Sequence, residues 1–459
     1  MADERVDLIV VGGGKGGKTL AMAYASAGHK VVMIERAMVG GSCINVACIP
    51  TKTMVGSAKV MEMARRAKEY GIKIDHPFAE ISSVIDHKSS VVHTMREMVR
   101  SQFLSTSGLE FLMGEARFIG PKRVEVALQE GGVRQFSADR IVVNTGTQPA
   151  IPPIQGLKES NPLTSISLLE IDHLPKHLVI MGGGYVGCEF AQIFRRFGSE
   201  VTVIQHGGHL LSKEDEDVAA EVANLLKAEG ITIYLNSAVQ KVAGKSGNEI
   251  KVTLSGAQGT KEVVGSHLLV AIGRASNSEG LNLAATGVAL DKRGFIPVNE
   301  KLETNIPGIY AIGDANGGPQ FTHVSLDDYR VVRSQLMEKG ERTTHNRLIP
   351  YTVFLDPELG RVGLTEKEAR QRGLKYRLFK VPAAVIPRAR TLGETKGMLK
   401  ALVDEATGEV LGCAILAAEG GEVMGAIQVA MLGKLHYTAL RDGIFAHPTL
   451  VESLNYLFA

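Results

Sequence analysis

Residues 6–35 read VDLIVVGGGKGGKTLAMAYASAGHKVVMIE, and this stretch decides the fold. The run 6–11, apolar apart from Asp7, predicts a buried strand, and a glycine-rich turn follows at 12–17. Residues 18–28 have the composition of a helix, and 30–34 form a second strand that ends in Glu35. The turn carries the G-x-G-x-x-G spacing of a dinucleotide-binding unit: Gly12 permits a tight turn, Gly14 lets backbone approach a pyrophosphate, and Gly17 lets the helix lie close on the strand. Free N–H groups at the start of the helix would then face the phosphates. Glu35 is placed to hold a ribose hydroxyl pair.

The pattern returns at 177–205, HLVIMGGGYVGCEFAQIFRRFGSEVTVIQ. A strand at 177–181 leads into a turn with Gly182, Gly184, Tyr185, Val186 and Gly187, then a helix to about 198 and a strand at 200–204. Gln205 lies as far beyond Gly182 as Glu35 lies beyond Gly12. Two cassettes with identical internal spacing predict two bound dinucleotides, a flavin and a nicotinamide. The first keeps its acid and suits FAD. The second has a neutral Gln205, which removes the repulsion a carboxylate would exert on a 2′-phosphate. His206 and His209 are placed to help bind such a phosphate, but no Arg stands there, so NADPH is preferred and NADH stays open. Further strands at 141–147 and 268–274 end in small-residue turns, with Thr145 and Gly146 in one and Gly273 in the other. A third, at 309–314, closes on Gly313 and Asp314, an acid able to hold a sugar or ribityl hydroxyl.

At roughly 150 residues per domain, 459 residues suggest about three domains. Breaks in pattern divide the chain into a discontinuous FAD domain (1–155 and 277–345), a nicotinamide domain (156–276) and a C-terminal α+β domain (346–459). The expected class is α/β, with two interleaved Rossmann-like domains and that third domain. A formal charge of +2 gives no electrostatic case for nucleic acid. No apolar run approaches the roughly 18 residues needed to cross a bilayer. The strand beginning at Val6 leaves no room for a signal peptide, so a cytoplasmic protein is expected. No resident metal site is expected.

The chemistry sits in GGSCINVACIPTK, residues 40–52. A disulfide needs Cα atoms within roughly 7 Å, whereas residues i and i+5 of an ideal helix stand about 8.6 Å apart. If Cys43 and Cys48 bridge, Cys43 lies in the loop before a helix and Cys48 near its first turn, where Pro50 is comfortable. A helix N-terminus also favours the thiolate. Cys188 and Cys413 read as structural.

Together with the two cassettes, the Gly313-Asp314 pair and the closing His447-Pro448-Thr449 with Glu452, this segment resembles the class I pyridine nucleotide–disulfide oxidoreductases, the family of glutathione reductase, dihydrolipoamide dehydrogenase and mercuric reductase. The stretches GKGGKTL (14–20), QFTHVSLDDYR (320–330), IPRAR (386–390) and LRDGIFAHP (440–448) resemble the bacterial reactive-chlorine-resistance and hypothiocyanous acid reductase branch. The resemblance implies FAD along Gly12, Gly14, Gly17, Glu35, Ser42, the turn at Ala116, Thr145, Gly146, Gly313 and Asp314. It implies a nicotinamide nucleotide on Gly182, Gly184, Val186, Gln205, His206 and Gly273, with Tyr185 covering the pocket until the nucleotide arrives. Cys48 would be the thiolate against the flavin and Cys43 the interchange thiol. Lys52 would sit near the flavin, paired with Glu189. His447, oriented by Glu452, would be the acid–base for Cys43, supplied by the partner subunit of a homodimer.

Three departures from the family pattern stand out. Ala47 replaces the usual glycine and disfavours a positive φ, Ser42 replaces a threonine, and no cysteine follows Cys413. The last argues against mercury delivery and against a C-terminal thiol shuttle. The resulting expectation is an NAD(P)H-dependent flavoprotein passing electrons to a small oxidant of the hypothiocyanous acid type, or to Cu(II). A low-molecular-weight disulfide reductase, a flavin dithiol oxidase and a non-enzymatic redox sensor remain the alternatives.

Overall fold

The computed structural model describes residues 3–256 and 259–459. It comprises two compact units: Met1–Thr53, Asp86–Ala150 and Gly273–Arg347 form the first, and Met54–Ile85, Ile151–Ile272 and Leu348–Ala459 the second. The α/β class expected from the strand–turn–helix pattern is what forms.

In the first unit, Leu8–Val11 is central because all four of its residues are buried, as a strand covered on both faces must be. It pairs in parallel with Val31–Glu35 on one side and Arg140–Val143 on the other, with Leu8 opposite Val31 and Arg140. Neighbours on opposite sides come from different parts of the chain, so a crevice opens beyond the C-terminal end of Leu8–Val11. The eight-stranded sheet runs from Glu4–Arg5 through Val133–Ser137, Arg123–Leu128, Leu109–Gly120, Val31–Glu35, Leu8–Val11 and Arg140–Val143 to Ile309–Ala311. Helix Lys15–Ser26 follows the glycine turn, starting three residues earlier than its apolar pattern suggests, since Lys15 and the two glycines already take helical geometry. It packs on helix Thr322–Met337 at Gly16, where a Cβ would fall 2.5 Å from the Ser325 carbonyl oxygen.

The second unit repeats the plan. Its parallel sheet runs Thr232–Tyr234, Glu200–Ile204, His177–Met181, His267–Val270, Leu163–Thr164, and Leu178 stands opposite Val201 as Leu8 stands opposite Val31. A three-stranded antiparallel sheet lies beside it in sequence. The C-terminal region adds a five-stranded antiparallel sheet, Tyr351–Val353, Glu358–Gly363, Val410–Ala417, Met398–Asp404 and Tyr376–Pro382, with helix Gly420–Leu432 on it. One core joins these parts: Phe190 and Phe194 of the cassette helix share it with Leu359 and Leu416 of the antiparallel sheet and with Met54 and Ala58.

Candidate functional site

The first glycine turn is shaped by the protein itself. Gly12 adopts φ +105°, and a Cβ there would meet the Asn144 carbonyl oxygen at 2.4 Å, so no other residue fits. Asn144 stitches the turn to the neighbouring strands, its Oδ1 accepting from Gly17 N–H at 2.9 Å and its Nδ2 donating to the Ile312 carbonyl at 2.9 Å. Glu35 accepts the Gly13 N–H at 2.8 Å, with Ala37 and Met38 donating to its other oxygen.

A shallow recess opens over this turn, lined by Gly12, Glu35, Gly114, Ala116, Thr145 and Asn277 among others. Thr145 Oγ1 is buried there with no hydrogen-bond partner among the described residues. An orphaned hydroxyl beside a carboxylate and a helix N-terminus fits a ribose and a pyrophosphate. The strand expected over 309–314 stops at Ala311, and Asp314 lies past its end on a short 3₁₀ turn, Gly313–Asn316. Its carboxylate accepts from Thr147 Oγ1 at 2.7 Å, and Arg274 donates to the same hydroxyl at 2.6 Å. Buried Asp328 holds the turn by accepting the Gly313 N–H at 2.8 Å.

The cysteine segment docks on the cassette through glycine. Gly41 takes φ +76°, and a Cβ there would lie 2.7 Å from Gly14 Cα. Ser42 and Cys43 then belong to a one-turn helix, Ser42–Asn45, and not to a loop; Val46 and Ala47 break it, and Cys48 opens the long helix Cys48–Arg66. The break brings together two thiols that one continuous helix would hold apart. Asn45 pins the short helix, donating to the Val39 and Gly41 carbonyls at 2.9 and 2.8 Å and accepting from Arg96 Nε at 2.7 Å. Ala47 is not among the residues of positive φ, so its replacement of glycine leaves the backbone unstrained.

Cys43 and Cys48 are free thiols, hydrogen-bonded to each other. The bond is lopsided. Donation from Cys43 pulls Cys48 down to about 6, against its burial and with help from the Thr322 hydroxyl 3.3 Å away and the Lys52 charge. The same bond, together with burial, pushes Cys43 well above the ordinary thiol range. One proton shared by two sulfurs gives a resident thiolate at Cys48 and a neutral Cys43 that needs a base. Cys188 and Cys413 are fully buried, and burial pushes each up to about 12, so neither is a nucleophile.

The second unit carries the other predicted residues. Gly182 repeats Gly12, with φ +114° and a Cβ that would lie 2.4 Å from the Ala271 carbonyl oxygen. Gln205 Oε1 accepts the Gly183 N–H at 2.9 Å, the bond Glu35 makes to Gly13, so the amide keeps the structural contact and drops the charge. Gly184 has open space around its Cα, and Tyr185 and Val186 open the helix beside it. The Tyr185 ring packs on Tyr351 with centroids 5.4 Å apart, and Tyr351 in turn donates to buried Glu214. Glu189 is buried and accepts the Phe354 N–H at 2.9 Å. His447 Nδ1 faces both oxygens of Glu452 at 3.0 Å. A carboxylate only accepts, so Nδ1 carries the proton and Nε2 is left as a base on a side chain 64% exposed. His206 and Gly273 lie on the turns that follow their strands. Asn144, Thr322, Lys18 and Tyr351 carry no role in the sequence reading, because nothing local marks a residue that acts across the fold. Among the described residues, no group of three or more His, Cys, Asp or Glu is placed to hold a metal ion, and no helix is long and apolar enough to cross a membrane.

Two nucleotide cassettes, a reactive thiol pair and a C-terminal sheet domain define a flavoprotein disulfide oxidoreductase. Residues 6–328 match the profile of the pyridine nucleotide-disulphide oxidoreductases, and residues 349–457 match the dimerisation domain of the same family. The chain is 38% identical over 455 residues to the probable pyridine nucleotide-disulfide oxidoreductase RclA of Escherichia coli K12, covering 98% of each. It is 33% identical over 450 residues to a mercuric reductase of Streptomyces lividans, covering 98% of this chain and 94% of the relative. The solved Cu(II) complex of the HOCl-induced flavoprotein disulfide reductase RclA from Escherichia coli superposes with a TM-score of 0.90 at 36% identity, over 100% of this chain and 99% of that one. The chain belongs to the pyridine nucleotide–disulphide oxidoreductase family. It is an oxidoreductase whose family works with FAD and NAD(P)H and carries a dimerisation domain.

Proposed function

We propose that this protein uses NADPH to reduce a small electrophilic oxidant of the hypothiocyanous acid type through the Cys43–Cys48 pair. The lopsided thiol pair carries the reading: Cys48 is a thiolate at neutral pH, and Cys43 is the sulfur that must be activated to attack. Residues 1–155 and 277–345 hold FAD, 156–276 hold the nicotinamide nucleotide, and 346–459 pair two subunits. FAD and the nicotinamide, when bound, supply the two electrons that return a Cys43–Cys48 disulfide to the dithiol. Gly12, Gly14, Gly17, Glu35, Ser42, Ala116, Thr145, Gly146, Gly313 and Asp314 hold the first, with Lys52, paired with Glu189, near its reactive edge. Gly182, Gly184, Val186, Gln205, His206 and Gly273 hold the second, and Tyr185 covers its pocket.

The partner subunit's His447, oriented by Glu452, takes the Cys43 proton through Nε2. The Cys43 thiolate attacks the sulfur of hypothiocyanous acid, forming a sulfur–sulfur bond and expelling hydroxide, which leaves as water with the imidazolium proton. The Cys48 thiolate then attacks Cys43, forming the disulfide and releasing thiocyanate. The oxidant gains two electrons and the dithiol loses two. The relative's description as HOCl-induced supports an oxidant acceptor, and its Cu(II) complex supports Cu(II) as a second one.

The test is NADPH oxidation by the purified holoprotein with hypothiocyanous acid, glutathione disulfide or Cu(II) as acceptor. Fast turnover with the first and none with the second is expected. Full turnover with glutathione disulfide alone would overturn the assignment in favour of a low-molecular-weight disulfide reductase.

A further inference from the structure

A buried lysine stands beside the thiol pair without a carboxylate. Lys18 lies in the first turn of helix Lys15–Ser26, only 6% exposed. Among the described residues the charges that act on its ammonium are Lys15 and Cys43, with no carboxylate among them. It reaches the turn that carries Cys43: a Cβ placed on Gly40 would come within 3.6 Å of Lys18 Nζ and 2.9 Å of Ile44 Cδ1. Burying a cation is costly unless something offsets the charge, and an apolar side chain would fill that space among Ile44 and Val99 at no such cost.

The charged and titratable groups acting on this point are few. Lys15, on the same helix, repels the ammonium, and Cys43 attracts it when ionised. Cys43 in turn faces the Cys48 thiol and the Thr322 hydroxyl, with Lys52 acting on Cys48 and Arg96 bound to Asn45 at the end of the short helix. Burial pulls Lys18 down to about 8, so it still carries its charge at neutral pH, and its field lowers Cys43 while the Cys43 thiolate raises it.

We propose that Lys18 is the counter-ion of the Cys43 thiolate supplied by the same chain, a positioning residue that keeps the interchange sulfur nucleophilic once its proton has gone to the partner's base. The inference rests on Cys43 being the interchange thiol, as in the reading above, but not on which acceptor that thiol reduces. It divides the work between two groups: the histidine moves the proton, and Lys18 stabilises the anion left behind. A fixed ammonium in a half-buried site does this without reorganisation.

The test follows alkylation of the NADPH-reduced holoprotein by iodoacetamide as a function of pH, with the modified cysteine located by mass spectrometry. Wild type is compared with Lys18→Met and Lys18→Arg. Lys18→Met should move the pH midpoint for Cys43 alkylation up by about one unit, making the reaction about tenfold slower below the midpoint, with flavin content and the long-wavelength thiolate–flavin band retained. Lys18→Arg should recover most of the wild-type profile, and shows that the position tolerates substitution. An unchanged profile in Lys18→Met at full flavin content would overturn the proposal. So would flavin loss in Lys18→Met that Lys18→Arg repairs, because Lys18 would then neutralise a cofactor phosphate. Alkylation falling first on Cys48 would remove the division of roles on which the inference rests. A different acceptor in the turnover assay would leave the alkylation result standing.

Discussion

Cys48 acquires its acidity from a residue five positions away and another 274 positions away, through the Cys43 thiol and the Thr322 hydroxyl. The first contributes more, so the variants should rank. Cys43→Ala should raise the Cys48 midpoint from about 6 toward the ordinary thiol value, and Thr322→Val should raise it by a smaller step. Because the folded value lies below the unfolded one, the thiolate persists above about 6 and disappears as the pH falls through it. A spectroscopic pH titration of the reduced holoprotein reads both changes through the loss of thiolate absorbance. A midpoint unmoved in Cys43→Ala would mean that the helix N-terminus and Lys52 set the acidity, and not the neighbouring thiol.

At the scale of the element, the two cassettes are one design built twice, and their glycines are not equivalent. A Cβ at Gly187 would sit 2.0 Å from the Gly182 carbonyl oxygen, whereas one at Gly184 meets nothing within 4 Å. Gly187→Ala should therefore push the helix off its strand and lower thermal stability, by about 1–3 kcal/mol if the clash is relieved only in part. Gly184→Ala should leave the melting temperature unchanged and weaken binding of NADPH, because only an approaching nucleotide would meet the new methyl group. Calorimetry and NADPH titration of both variants separate the two. The spacing of the glycines is legible in sequence because a tight turn and a close helix–strand contact are local demands. Whether a given glycine makes room for protein or for ligand is not, because that depends on what the rest of the fold leaves vacant.

At the scale of the whole molecule, the C-terminal region exposes apolar residues on one helix and the segment after it, Val429, Leu432, Leu435 and Ile444. They lie in the domain that matches the family's dimerisation profile, and we propose that they pack against a second copy. The proposed site takes Cys43 from one subunit and His447 from the other, which complementation can test. Cys43→Ser and His447→Gln should each lose oxidant turnover while keeping flavin reduction by NADPH. Unfolded together and refolded as a mixture, they should recover about a quarter of wild-type turnover, because half of the dimers are mixed and each restores one of its two sites. No recovery beyond the sum of the two separate variants would place thiol and base in one chain.

Features that depend on near neighbours along the chain are readable before folding. Glycine turns, buried parallel strands, the change from Glu35 to Gln205 and the proximity of two cysteines all follow from sterics and periodicity within some thirty residues. The pairing of His447 with Glu452, which the family resemblance implies, forms at 3.0 Å. How each group is charged and held follows from the folded arrangement. Cys43 leaves the expected loop for a helical turn because Gly41 packs on Gly14 and Asn45 is clamped by Arg96. Asn144 and Thr322 reach the site from strands and helices far along the chain. Lys18 passes as an ordinary helix lysine until its burial beside Cys43 is known. Acidity and charge pairing depend on distance through space, and the fold brings together residues that the chain keeps apart.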